Sequence, residues 1–230
     1  EFIDLLRKAQ NISRLTSGAF DITVQPLWKF LQGWFNHQRK GDKDDFASQL
    51  IYFRERVGYQ KIKISEDNVS FAVSGMGITL NGIAQGYITD RVSEYLKSEG
   101  LTAVLVDMGE YRALGGQADQ TPWRIGLADP VHFGKLSAIL EITGGAVATS
   151  SGLGEIFEPS GLYHHILDPV QGHSADRYLS VTVTAPEATV ADALSTAFCS
   201  MSEEAISTCL DKNRGVSAYL TRKDGTRVKI

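Results

Sequence analysis

Residues 178–198 read YLSVTVTAPEATVADALSTAF, and this stretch decides the class of fold. Leu179, Val181, Val183 and Ala185 alternate with polar residues, the period of a strand with one buried face. Pro186 ends the run. Small and apolar residues then continue at helical spacing, which predicts a helix directly behind the strand. Inside that helix Asp192 stands beside Ala191, Ala193 and Leu194, with Thr196 four residues on and therefore on the same face. A carboxylate among small apolar residues is costly unless something offsets its charge.

Outward from this unit, strands and helices mix without strict βαβ alternation, which reads as an α+β fold. Phe2, Leu5, Leu6, Ala9, Ile12 and Leu15 are spaced for a helix over 2–15, broken at Gly18. Aromatic-rich residues 26–38 predict a helix after Pro26. KGDKDD (40–45) reads as a solvated turn, with Asp44 as the cap of a helix over 45–56. YQKIKIS and VSFAVSG flank EDN in a hairpin signal. A helix over 84–98 ends at Gly100. TAVLVDMG, PWRIGLADP and LSAILEITGGAVATS read as strands, and GLYHHILDPVQG as a loop punctuated by Pro and Gly. Helices are expected over 187–201 and 202–213, and a closing hairpin turns at Asp224-Gly225.

The chain's 230 residues, read as one domain over 1–230, suffice for a hydrophobic core, and 43% of them are apolar. A net charge of −4 without a basic run argues against nucleic acid as a partner. Cys199 and Cys209 fit neither a disulfide framework nor a zinc pattern. The opening EFIDLLRKAQ begins inside a helical pattern without Met, so the chain is expected to be cut at its N-terminus.

Four stretches can carry chemistry. In NGIAQGYITD (81–90) Gly82 and Gly86 flank Ala84 just before a helix, where backbone can approach an anion; a plain turn explains two glycines equally. GGAVATSSG (144–152) clusters Thr149, Ser150 and Ser151, either to bond phosphate oxygens or as a polar turn. In YHHILDP (163–169) His165 and Asp168 suit a proton relay, and a surface loop with an Asp-Pro turn is the plain alternative. Asp192 and Thr196, with Ser195 beside them, are hard oxygen donors of the kind Mg²⁺ or Ca²⁺ takes. The alternative is a carboxylate near a helix N-terminus, favoured by the dipole, with Thr196 bonded back to a carbonyl.

Taken in order, SGAFDITVQPLW, NGIAQGYITD, LVDMGEYRALGG, AVATSSG, YHHILDPVQG and VADALSTAF resemble the ApbE family, the FAD:protein FMN transferases, over nearly the whole chain. The resemblance implies an α+β fold of duplicated, T-fold-like sheet-and-helix architecture. It implies Mg²⁺-dependent transfer of FMN from FAD to a Thr or Ser hydroxyl of an acceptor protein, releasing AMP. It assigns Asp192, Thr196, Ser195 and the backbone carbonyl of Ala84 to the metal. Ala19, Phe20, Asp21, Asn81, Tyr87 and Ile166 are assigned to FAD, and His165 and Asp168 are the candidate bases.

The chain departs from the family's usual pattern in three places. Gln85 stands where a Lys is common, and Gly109-Glu110-Tyr111 replaces Gly-Gly-Asp or Gly-Gly-Asn. The family's N-terminal segment, part of the FAD pocket, is absent from this chain. The first two departures resemble the NosX-like branch, linked to nitrous oxide reductase maturation. The acceptor is then expected to be a membrane-bound flavoprotein of denitrification or of Na⁺ and electron transport, met on the periplasmic side, with a membrane anchor outside this chain. An FAD-binding carrier without transfer and an Mg²⁺-dependent FAD pyrophosphatase are the competing functions.

Overall fold

The computed structural model describes residues 1–36 and 42–230. Its helices are α1 (Phe2–Leu15), α2 (Gln25–Phe35), α3 (Lys43–Arg54), α4 (Ala84–Ser98), α5 (Ala188–Phe198) and α6 (Glu203–Asp211). Its strands are β1 (Ile62–Ile64), β2 (Val69–Phe71), β3 (Val104–Asp107), β4 (Tyr111–Leu114), β5 (Trp123–Ala128), β6 (Leu136–Ile142), β7 (Gly145–Ser150), β8 (Tyr178–Ala185), β9 (Ser217–Arg222) and β10 (Arg227–Lys229). An antiparallel sheet runs in the order β10-β9-β8-β7-β4-β3, while β1-β2 and β5-β6 form separate ribbons. This is the expected α+β class.

β8 forms a strand as read, though Thr182 on its polar face is buried too and Leu179 only partly so. Val181, Val183 and Ala185 are buried, and α5 packs across β7 and β8. Leu194, Ala197 and Phe198 of α5 join Leu6 and Ala9 of α1 in the same core. At roughly 1.5–3 kcal/mol per large apolar side chain, this face is the main source of stability. A second cluster is aromatic: Phe30 of α2 stacks on Phe53 of α3 at 4.9 Å, with Phe157 and Leu167 close by.

Several boundaries differ from expectation, for local reasons. Helix α3 starts two residues early because Asp42, not Asp44, is its cap and accepts from the N–H groups of Asp44 and Asp45. The end of the helix expected over 26–38, and residues 40–41 of the expected turn, lie outside the described residues. α6 begins behind Ser202, whose hydroxyl accepts from Ala205 N–H. β4 was not anticipated: four residues, Tyr-Arg-Ala-Leu, give no readable alternation, and pairing with β3 and β7 makes them a strand.

Candidate active site

Helices α4 and α5 cross so closely that Gly86 has no room for a side chain. A Cβ there would lie 2.3 Å from the Ala188 carbonyl oxygen. Each helix supplies the other's N-terminus with a carboxylate. Gly86 N–H, in the first turn of α4, donates to Asp192 Oδ2 on α5 at 2.9 Å. Ala188 N–H and Thr189 N–H, at the start of α5, donate to the two oxygens of Asp90 on α4, both at 2.8 Å. Arg112 of β4 completes the charge balance at Asp90. Asp192 therefore lies in the middle of its own helix, 5% exposed, and the dipole that serves it belongs to α4. This corrects the alternative that placed it at the start of its own helix.

A cavity of about 330 Å³ opens beside this crossing. It brings together Ala19, Phe20, Asp21, Asn81, His165, Ile166, Asp192 and Thr196 from the sequence-predicted set. Ala84 is the first residue of α4, between the wall residues Gly82 and Gln85. Tyr87, Asp168 and Ser195 do not line the cavity.

Ser195 is spent on protein contacts. Its hydroxyl donates to the Asp192 carbonyl at 2.9 Å, and its oxygen lies 2.8 Å from Ser150 Oγ. Ser150 Oγ in turn lies 3.4 Å from Thr196 Oγ1. Tyr87 packs against the main core. Ser151 caps a short turn, donating to the Leu179 carbonyl and accepting from Leu153 N–H.

Asp21 lines the cavity and is bonded to the protein through both carboxylate oxygens. Oδ1 accepts from Thr23 N–H and the Thr23 hydroxyl, and Oδ2 from Tyr59 N–H at 2.7 Å. Burial pushes its pKa up and these bonds hold it back. From the cavity wall Asp21 thereby pins the loop at 58–59. Phe20 is 4% exposed, and its backbone N–H donates to Thr16 Oγ1.

The proposed relay of His165 and Asp168 is not formed. Asp168 Oδ1 accepts from the N–H groups of Val170 and Gln171, both at 2.9 Å, which is the Asp-Pro turn chemistry of the plain alternative. His165 is half-buried, and its Nδ1 lies 3.1 Å from the Glu155 carbonyl oxygen. A carbonyl only accepts, so Nδ1 carries the proton and Nε2 keeps its lone pair. Its neighbour His164 is buried between the Ala175 carbonyl and Ile166 N–H, and burial lowers its pKa.

Among the wall residues to which the sequence reading gave no role are Trp28 and Glu110. Trp28 of α2 meets Phe157 edge to face at 5.5 Å. Glu110, just before β4, is 8% exposed, and burial together with the charge of Asp192 pushes its pKa up to about 8. Burial likewise pushes Asp192 to about 6, against the bond from Gly86. The signal for Glu110 was present in the sequence as the departure at Gly109-Glu110-Tyr111.

The described wall holds Asp21, Glu110, Glu155 and Asp192 but neither Lys nor Arg. No group of three His, Cys, Asp or Glu side chains fit for a metal occurs among the described residues. The oxygen donors present, Asp192 and the Thr196 hydroxyl, suit a hard cation that keeps positions for water and phosphate. No helix among the described residues is long and apolar enough to cross a membrane.

Residues 1–220 match the model of the ApbE family. A FAD:protein FMN transferase of Vibrio cholerae is 32% identical over 207 residues, covering 88% of this chain and 61% of that protein. One from Haemophilus influenzae is 28% identical over 236 residues, covering 97% of this chain and 67% of its own length. The chain thus spans about three-fifths of the Vibrio cholerae relative. The crystal structure of the ApbE protein from Thermotoga maritima superposes with a TM-score of 0.87 at 32% identity, covering 100% of this chain and 75% of that one. For the flavin transferase ApbE from Vibrio cholerae the values are 0.81, 28%, 99% and 73%. These matches do not support the narrower NosX-like branch read from residues 85 and 109–111.

Proposed function

The chain belongs to the ApbE family, and from that premise we propose that it transfers FMN from FAD to a Ser or Thr hydroxyl of an acceptor flavoprotein, releasing AMP. The reading is carried by one observation: Asp192 and Thr196, one turn apart on α5, share a cavity with the free Nε2 of His165.

The acceptor's hydroxyl oxygen bonds to the FMN phosphorus while the bond from that phosphorus to the bridging pyrophosphate oxygen breaks, and AMP leaves with the bridging oxygen and its electron pair. His165 Nε2 takes the hydroxyl proton, its ring held by the Nδ1 bond to Glu155. Ala19, Phe20, Asn81 and Ile166 form the flavin-nucleotide wall. Asp192 and Thr196 would hold Mg²⁺, the ion their oxygen chemistry fits, joined by the carbonyl of Ala84 as the family resemblance implies. A bound Mg²⁺ supplies neutralisation of the charge that builds on the breaking pyrophosphate. That the acceptor is membrane-bound and met on the periplasmic side rests on the family resemblance alone.

The test is incubation of the full-length protein with FAD, Mg²⁺ and a Thr-containing acceptor domain, followed by mass measurement of the acceptor. A covalent FMN adduct with one AMP per adduct is expected. AMP without an adduct means a pyrophosphatase, and bound FAD without AMP means a carrier.

A further inference from the structure

Glu110 has no place in the transfer just described, yet it is nine-tenths buried on the same wall as Asp192. Its position follows from the local backbone. β4 pairs with β7 no further than Tyr111 with Val147. Just before it, Gly109 adopts a φ of +102°, and Met108 N–H donates to the Glu110 carbonyl. Gly109 supplies the left-handed backbone at little steric cost. Past the end of that pairing, Thr149 N–H donates to the Glu110 carboxylate.

Charge then becomes the question. Glu110 receives that single backbone N–H, and Asp192 receives one from Gly86 at Oδ2. Among the described residues the other oxygen of Asp192 has no hydrogen-bond partner, although the residue is 5% exposed and borders the cavity. Neither Lys nor Arg stands on the described wall. The guanidinium of Arg112, two residues along the chain from Glu110, is committed to Asp90. Two buried carboxylates sharing one cavity repel each other unless a proton or a cation from outside balances them.

We propose that Glu110 supplies a second carboxylate to the cation held at Asp192 and Thr196, so that two formal negative charges face one dication. This rests on the metal reading of Asp192 given above.

The test measures Mn²⁺ binding to the full-length protein without FAD, read as the loss of the free-Mn²⁺ electron paramagnetic resonance signal. Parent, Glu110→Gln and Asp192→Asn are compared, with thermal unfolding in chelator as the control for folding. Glu110→Gln should weaken Mn²⁺ binding fivefold or more while its Tm in chelator equals or exceeds that of the parent, because a repelling charge has been removed. A purely structural Glu110 would leave Mn²⁺ affinity unmoved. If Glu110→Gln weakens binding less than fivefold while Asp192→Asn abolishes it, the inference falls and the reading of Asp192 stands. If both bind as the parent does, the metal reading falls and the inference with it. Should Glu110→Gln not fold, Glu110→Asp, which keeps the charge and withdraws it by one methylene, is judged against the same fivefold line.

Discussion

The N–H of Gly86 on α4 and the carboxylate of Asp192 on α5 meet at 2.9 Å, although the two residues stand 106 positions apart in the chain. The bond is possible because residue 86 has no side chain, and it fixes where the acid at 192 stands. Gly86→Ala would drive a Cβ to 2.3 Å from the Ala188 carbonyl oxygen, a backbone atom that cannot turn aside. We expect a loss of about 3 kcal/mol or more. Urea unfolding of Gly86→Ala with parental stability would mean the helices part readily.

Asp192→Asn and Asp192→Ala should separate chemistry from structure. Asn keeps an acceptor for Gly86 N–H and removes a charge that burial disfavours. Its unfolding midpoint without metal should match or exceed the parent's while Mg²⁺-dependent AMP release is lost. Ala leaves the Gly86 N–H unpaired and should cost a further ~1–3 kcal/mol. Parental AMP release by Asp192→Asn would remove the acid from the metal site.

Stability in chelator should fall as pH rises. Glu110 titrates at about 8 and Asp192 at about 6 in the folded chain, above the 4.5 and 3.8 of free groups. Between those limits the folded state binds more protons than the unfolded one. The contribution is therefore full below pH 4 or so and is lost as pH climbs through 6 and then 8. His164, lowered by burial, works in the opposite sense. The readout is accordingly the difference in Tm between parent and Glu110→Gln from pH 5 to 8.5. The parent should lose ground steadily; a constant difference would mean Glu110 is ionised throughout.

His165 and Asp168 should behave differently despite standing three residues apart. Removing a general base typically costs 10²- to 10⁴-fold in rate, so His165→Ala should lower transfer by about that factor with FAD affinity retained. Asp168→Ala loses the two N–H bonds that close its turn, and should lower stability by ~1–3 kcal/mol. Equal loss of turnover in both, at unchanged stability, would restore the relay.

Gln85 is exposed at the cavity rim, with Gly109 packed near its amide. A lysine there would be screened by solvent, so Gln85→Lys should tighten FAD binding by less than ~1 kcal/mol, and by less still at higher salt. Titration of FAD at two salt concentrations measures it. Tightening beyond tenfold would mean the side chain folds inward.

What could be read from the chain follows the range of the interactions. The span 84–98 of α4 was legible because its start and its stop at Gly100 are local signals. The pairing of Asp192 with Thr196 was legible because four residues make one helical turn. The cap that Asp90 gives α5 was not, because its partners lie 98 and 99 positions away. Asp168 was misread for a related reason: a turn-forming Asp-Pro and a relay carboxylate look alike until the histidine's own partner, Glu155, is seen. Asp21 gave no warning that Tyr59 would claim its second oxygen.

A described wall with four acids and no Lys or Arg also sets the terms on which a dinucleotide enters. On the proposed reading a pyrophosphate without a cation would find no Lys or Arg on that wall, and a bare dication would leave its outward positions to water. Each guest improves the lodging of the other, and by linkage the factor is the same in both directions. On the proposed reading occupancy would rise with the product of the two concentrations while both are scarce, so lack of either would keep the cavity empty. If the chain transfers as proposed, the departure of AMP would strip the cation of its phosphate partner and loosen it for the next round.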